Sequence, residues 1–196
     1  MIKAISQRPL AFIDTETTGL DSSIHEVIEV AVITEHPDGR RERFHTYIKP
    51  QNIETAHPKA LEINGYAEDP SKWDNAPHME QVGEQIARAI KGCILVGHNV
   101  GFDIQMLQAN MDRAGLKFRL PYHKVDTVTL AYEHLVPCGL ESLSMDKIRK
   151  FLGWSMDNAH TAMKDAEDAR RLYRLCSRSG KFARFLIRWG GKVRQA

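Results

Sequence analysis

Apolar positions fall into short continuous runs in the first third of the chain and into helical stripes later, with polar turns between them. Leu10-Ala11-Phe12-Ile13 is bounded by Pro9 and by the turn residues Thr17-Thr18-Gly19, which predicts a short buried strand. Glu26-Val27-Ile28-Glu29-Val30-Ala31-Val32-Ile33-Thr34 is a second run, rich in β-branched residues. His36-Pro37-Asp38-Gly39 then marks a turn, and 41–48 resumes an extended pattern with Phe44, Thr46 and Ile48 on one face. The first fifty residues therefore predict a three-stranded meander.

Residues 50–77 are loop-rich, with a short helix predicted over 58–63 and stopped by Asn64-Gly65. Val82, Ile86, Ala89 and Ile90 recur at helical spacing over 79–90, and Gly92 follows. Ile94-Leu95-Val96 predicts a buried strand, after which Ile104, Leu107 and Met111 restore the helical period up to Gly115. A strand around Lys124-Val125-Asp126 leads into a helix from Thr127 to about Leu135, broken by Pro137-Cys138-Gly139. Ser142 or Ser144 caps a helix running to Gly153, and a last helix starting near His160 carries Ala162, Ala166, Ala169, Leu172 and Tyr173. Beyond Gly180, Phe182, Phe185, Leu186 and Trp189 lie opposite Lys181, Arg184 and Arg188, the pattern of an amphipathic basic helix. Strands first, then strand and helix alternating, predict an α/β fold with a mixed sheet whose antiparallel part comes early. In such open sheets ligands bind at the carboxyl ends of the strands.

Composition narrows the picture. With 196 residues the chain suits one domain with one sizeable core, and 42% hydrophobic and 27% charged residues exclude a disordered or fibrous chain. The formal net charge is only +2, but no Asp or Glu follows Asp168, while Arg170, Arg171, Arg174, Arg178, Lys181, Arg184, Arg188, Lys192 and Arg194 do. Such an end suits a polyanionic partner such as nucleic acid, or serves as a solubilising tail. Cys93, Cys138 and Cys176 are far apart, which argues against a zinc site or a disulfide framework and fits a reducing cytoplasm. Lys3, Gln7 and Arg8 interrupt any apolar leader, and no stretch approaches the roughly 20 apolar residues of a membrane span. The expectation is a cytoplasmic protein without membrane contact.

The candidate chemistry is carboxylate chemistry. In a strand the side-chain period is two, so Asp14 and Glu16 share a face. Two like charges held together at a buried strand end need a cation, and Mg²⁺ or Mn²⁺ suits oxygen ligands. Asp103 opens a helix after a buried strand, and Asp165 lies in the first turns of the last helix, so both can reach that spot. Asp168, three positions after Asp165 on the same helical face, competes with it. Glu29 could be a further ligand, although a strand carboxylate satisfied by backbone or arginine is the plainer reading. Four carboxylates together suit two divalent ions roughly 4 Å apart, which points to phosphodiester hydrolysis. A general base near neutral pH is expected to be histidine. His160, five positions before Asp165, is the candidate at the rim, with His98 as rival; His98, His25, His57 and His123 otherwise read as structural.

Three segments, Asp14-Thr15-Glu16-Thr17-Thr18-Gly19-Leu20, His98-Asn99-Val100-Gly101-Phe102-Asp103 and His160-Thr161-Ala162-Met163-Lys164-Asp165, resemble the three motifs of the DnaQ-like (DEDDh) 3′→5′ exonucleases. That superfamily includes the proofreading subunit of the bacterial replicative polymerase, RNase T and oligoribonuclease. Ile28-Glu29-Val30-Ala31-Val32, Leu61-Glu62-Ile63-Asn64-Gly65 and 126–131 are secondary matches, and the resemblance covers about residues 9–177.

The resemblance implies an RNase H-like fold with a mixed five-stranded sheet flanked by helices, over a domain of residues 1–177. It implies Asp14, Glu16, Asp103 and Asp165 as ligands of two divalent ions (Mg²⁺ or Mn²⁺) and His160 as general base. Thr17 and Leu20, with Asn99 and Phe102 as neighbours, would hold the terminal nucleotide. The implied activity is release of 5′-mononucleotides from the 3′ end of single-stranded or frayed DNA. Trimming of RNA 3′ ends is the alternative, as is an accessory or binding subunit of a replication or repair complex. The basic extension, 178–196, is read as following the phosphate backbone, as docking on a polymerase or other replication or repair partner, or as packing on the body; a homodimer stays open. If the extension binds phosphates, its removal flattens the slope of log affinity against log salt by roughly 0.7 per lost contact on single strands.

Overall fold

The computed structural model describes residues 4–177; the basic extension expected over 178–196 lies outside them. One sheet is built from β1 (Leu10–Thr17), β2 (Val27–Glu35), β3 (Arg41–Tyr47), β4 (Ile94–Gly97) and β5 (Lys124–Asp126), in the order β3-β2-β1-β4-β5. The pairs β1–β2 and β2–β3 are antiparallel, and β1–β4 and β4–β5 are parallel. This is the mixed sheet expected from the order of the apolar runs. Helices α1 (Pro58–Ile63), α2 (Met79–Ile90), α3 (Val100–Arg113), α4 (Thr127–Leu135), α5 (Met145–Leu152) and α6 (Ala162–Ser177) surround it.

The two faces of β1 have different partners, and this decides where the carboxylates go. Ala11 and Ile13 pack with Val100, Met106 and Leu107 of α3 and Ile86 and Ile90 of α2. Phe12 points the other way, into a cluster with Ala31, Ile33 and Val96 that Ala162 and Ala166 of α6 close. With the two-residue period of a strand, Asp14 and Glu16 fall on the α6 face and Thr15 on the α3 face. Covered on both sides, β2 is buried along its whole length. A third cluster, Ala131, Leu135, Ile148 and Leu172, binds α4 and α5 to α6.

Asp14 and Glu16 lie within β1, as their expected shared strand face requires: pairing with β2 continues through Glu16–Glu29 and, after a register shift, Thr17–Val27. Ser144 occupies the N-cap position of α5 but its hydroxyl makes no capping hydrogen bond; its N–H donates instead to the Ser142 hydroxyl at 3.4 Å. Finally, α6 starts at Ala162, just past His160 as expected, because Asn158 and His160 hold φ of 57° and 64°, which a right-handed helix cannot continue. His160 thus sits on the turn before α6.

Candidate active site

Carboxylate oxygens of Asp14, Glu16 and Asp165 lie within 4.8 Å of one another, a grouping that could hold a metal ion. Two come from one face of β1, and the third from the first turn of the helix packed on that face. Enclosure by the fold holds the Asp14 carboxyl well above the usual carboxylate range, and Asp103, Asp165, Glu16 and Glu29 add repulsion. Glu16 is pushed up to about 9 by burial and by Asp165, Glu29 and Asp103. Asp165 is also raised by burial, against the pull of Arg149. Anionic oxygen donors that repel one another at short range form a donor set suited to a hard divalent cation.

Asp103 reaches the same strand from its other face. One of its oxygens, Oδ1, accepts hydrogen bonds from the Thr15 backbone N–H (2.9 Å) and from the Thr15 hydroxyl (2.8 Å). Asp103 is buried, and burial raises it to about 7 while the Thr15 bonds hold it down. Its charge raises Asp14 and Glu16, but its oxygens are not among the three grouped ones.

The competition between Asp165 and Asp168 has a structural answer. Asp168 is fully buried and takes Arg149 Nε at 2.8 Å, Lys164 Nζ at 2.6 Å and Arg171 Nη1 at 3.4 Å. It balances cations in the α5–α6 packing, while Asp165 faces Asp14 and Glu16. Glu29 lies on the Asp14 face of β2, opposite Glu16, but its Oε1 is paired with His45 Nε2 at 2.7 Å. That corrects the expected backbone or arginine partner: β3 brings a histidine alongside.

His160 is 42% exposed, and its Nε2 lies 3.5 Å from Asp146 Oδ2. Its rival His98 is occupied on both ring nitrogens, Nε2 donating to the Leu143 carbonyl at 2.8 Å and Nδ1 lying 2.9 Å from the Thr127 hydroxyl. Burial holds His98 below the ordinary histidine range. His25 Nδ1 accepts from the Asp21 N–H, and His57 Nδ1 accepts from the Lys59 N–H at the start of α1. Both fit the structural reading, and the ring of His123 packs edge-on against Tyr122.

The residues expected to touch a terminal nucleotide differ in exposure. Thr17 is buried, its hydroxyl donating to the Gly19 carbonyl at 2.8 Å and its carbonyl accepting from Asn64 Nδ2. Leu20 is 83% exposed on the turn after β1. Asn99 is exposed at φ 64°, with its N–H on Asp126 Oδ1, and Phe102 packs partly buried against the α3 core. Sequence reasoning missed Arg149, which is fully buried with all three guanidinium nitrogens on carboxylates. A signal existed: Arg149 falls among Met145, Ile148 and Leu152 on the apolar stripe of α5.

The family model described as Exonuclease matches residues 11–173. The chain is 30% identical over 160 residues to the DNA polymerase III subunit epsilon of Treponema pallidum, covering 82% of this chain and 72% of that protein. It is 30% identical over 162 residues to the PolC-type DNA polymerase III of Thermotoga maritima, of which it spans 11%. It is also 27% identical over 162 residues to the 3′-5′ exonuclease DinG of Staphylococcus saprophyticus, of which it spans 17%. Among solved structures, Escherichia coli exonuclease I in complex with a dT13 oligonucleotide superposes with a TM-score of 0.74 at 20% identity, over 88% of this chain and 41% of that one. The five-stranded sheet with flanking helices is thus of the RNase H-like kind. The chain belongs to the exonuclease family and carries an exonuclease domain of the 3′→5′ type.

Proposed function

We propose that this protein removes 5′-mononucleotides from the 3′ end of single-stranded or frayed DNA, with Asp14, Glu16, Asp103 and Asp165 holding two divalent ions, Mg²⁺ or Mn²⁺. The observation that carries the reading is the grouping of Asp14, Glu16 and Asp165 within 4.8 Å. The names of the relatives, polymerase subunits and an exonuclease, and the dT13 oligonucleotide bound to exonuclease I support DNA over RNA. A polymerase or another replication or repair protein is the proposed partner, in keeping with the polymerase III relatives.

When bound, the ions would neutralise the phosphate and lower the pKa of a water. The remaining work falls to the chain. His160, half-exposed on the turn before α6, takes the proton of the attacking water. Asp103 arrives pre-oriented, since Thr15 fixes one of its oxygens. Leu20 offers an exposed apolar surface for the terminal base, and Asn99, Phe102 and Thr17 frame its sugar and phosphate. The catalytic unit is taken as residues 1–177, and 178–196 as a basic extension along the upstream phosphates. Among the described residues no helix is long and apolar enough to cross a membrane, and the scattered cysteines support a cytoplasmic location.

Matched 3′-tailed DNA and RNA oligonucleotides, incubated with Mg²⁺ or Mn²⁺, test the reading against Asp14→Asn and His160→Ala controls. Stepwise loss of mononucleotides from DNA, abolished by Asp14→Asn, is expected. Preferential loss from RNA would move the assignment to RNA trimming, and degradation of neither by folded protein would leave a binding subunit.

A further inference from the structure

Arg149 has no exposed side-chain surface, yet all three of its guanidinium nitrogens meet carboxylates. Nε takes Asp168 Oδ2 at 2.8 Å, Nη1 takes Asp146 Oδ1 at 2.9 Å, and Nη2 takes Asp165 Oδ1. The other oxygen of Asp146 faces His160 Nε2 at 3.5 Å. We infer that Arg149 is a positioning residue of the nuclease site, its buried guanidinium fixing Asp165 directly and His160 through Asp146.

A buried cation costs several kcal/mol unless it is paired with good geometry, so its three arms report what the fold has arranged around it. Charge balance of Asp168 does not by itself require Arg149, because Lys164 and Arg171 also reach that carboxylate. The other two arms run to Asp165, grouped with Asp14 and Glu16, and to Asp146, beside His160. A planar guanidinium with donors in a fixed fork sets the angle between its partners, which a lysine ammonium does not. Its helix is itself held in place: the Arg149 carbonyl accepts from the Trp154 N–H at 2.8 Å, and the Arg171 guanidinium lies 4.1 Å over the Trp154 ring. That staple fixes the start of the segment that carries His160. Partners one step beyond the ligands commonly govern metal affinity and activity by about 10–100-fold.

The inference rests on the proposed roles of Asp165 and His160, and its test separates the two. Arg149→Lys, Asp146→Asn and Lys164→Met are made in the full chain and checked for folding by circular dichroism. Mn²⁺ binding is read by electron paramagnetic resonance, and kcat and KM are measured on a 3′-tailed DNA oligonucleotide. Arg149→Lys is expected to weaken Mn²⁺ binding by about 10–100-fold. Asp146→Asn is expected to lower kcat about tenfold or more with KM and Mn²⁺ affinity unchanged, and Lys164→Met to move none of these. Parental Mn²⁺ affinity in folded Arg149→Lys, or parental kcat in Asp146→Asn, overturns the inference. If Arg149→Lys does not fold, Asp146→Asn decides alone. A parent chain that binds Mn²⁺ but cleaves nothing counts against the exonuclease reading, while the Mn²⁺ affinities still decide the role of Arg149.

Discussion

Thr15 gives both its backbone N–H and its hydroxyl to a single oxygen of Asp103, at 2.9 and 2.8 Å. Strand and helix are joined at that oxygen: the residue between Asp14 and Glu16 turns to the opposite face of β1 and holds the carboxylate that α3 brings. One strand therefore organises carboxylates on both of its faces, two as its own side chains and one through a hydrogen-bonding neighbour.

Replacing that neighbour isolates its contribution. Thr15→Val keeps the shape and the backbone bond but removes the hydroxyl donor, and a hydrogen bond to a charged group is worth about 1.5–3 kcal/mol. Asp103 ionises near 7 in the folded chain, so the loss of stability is expected to be larger at pH 8 than at pH 5, where the carboxyl is already protonated. Urea unfolding of metal-free protein at the two pH values measures the difference.

Removing a charge from the cluster should trade activity for stability. Asp14 is pressed by burial and by four other carboxylates, so Asp14→Asn is expected to raise the melting temperature of metal-free protein at pH 8 while abolishing cleavage. Scanning calorimetry in EDTA, beside the oligonucleotide assay, checks both. A lower melting temperature than the parent would mean that the repulsion is already relieved in the folded chain.

The cluster also sets the pH dependence of the metal-free fold. Glu16 rises from its ordinary 4.5 to about 9 on folding. Between those values the folded chain binds more protons than the unfolded one, so stability falls as pH increases. Denaturation midpoints in EDTA are expected to drop from pH 6 to pH 9, and saturating Mg²⁺ to shrink the drop, since a bound cation favours the ionised carboxylates. An equal drop with and without Mg²⁺ would show that the cation binds elsewhere.

Gly97 closes β4 against β1 so tightly that a Cβ there would sit 2.9 Å from the Ile13 carbonyl oxygen and 3.0 Å from Val100 Cβ. Backbone has little room to yield, so Gly97→Ala is expected to cost about 1–3 kcal/mol, the usual range for overpacking. Because Ile13 precedes Asp14 and Val100 opens the helix bearing Asp103, the Mn²⁺ affinity should fall with it. Equilibrium unfolding and a Mn²⁺ titration read the two effects.

Periodicity along the chain located the strands and the helices, because both depend on local repeats of two or 3.6 residues and on turn residues nearby, and the order of those elements predicted a mixed sheet with its antiparallel part early. It also put Asp14 and Glu16 on one face, a consequence of strand geometry alone. What periodicity left open were choices among residues with equivalent local patterns. Asp165 and Asp168 are one helical turn apart, and only the packing of α5 against α6 assigns Asp168 to Arg149, Lys164 and Arg171. Likewise, His98 could be set beside His160 until Thr127 and the Leu143 carbonyl, 29 and 45 positions away, took its two ring nitrogens. The same holds for His45 on Glu29 and Thr15 on Asp103. Side-chain partners distant in sequence are decided by which faces the tertiary structure brings together, and a one-dimensional pattern carries no record of that. Arg149 is the extreme case, a cation on an apolar stripe whose burial makes sense only once three carboxylates have been folded around it.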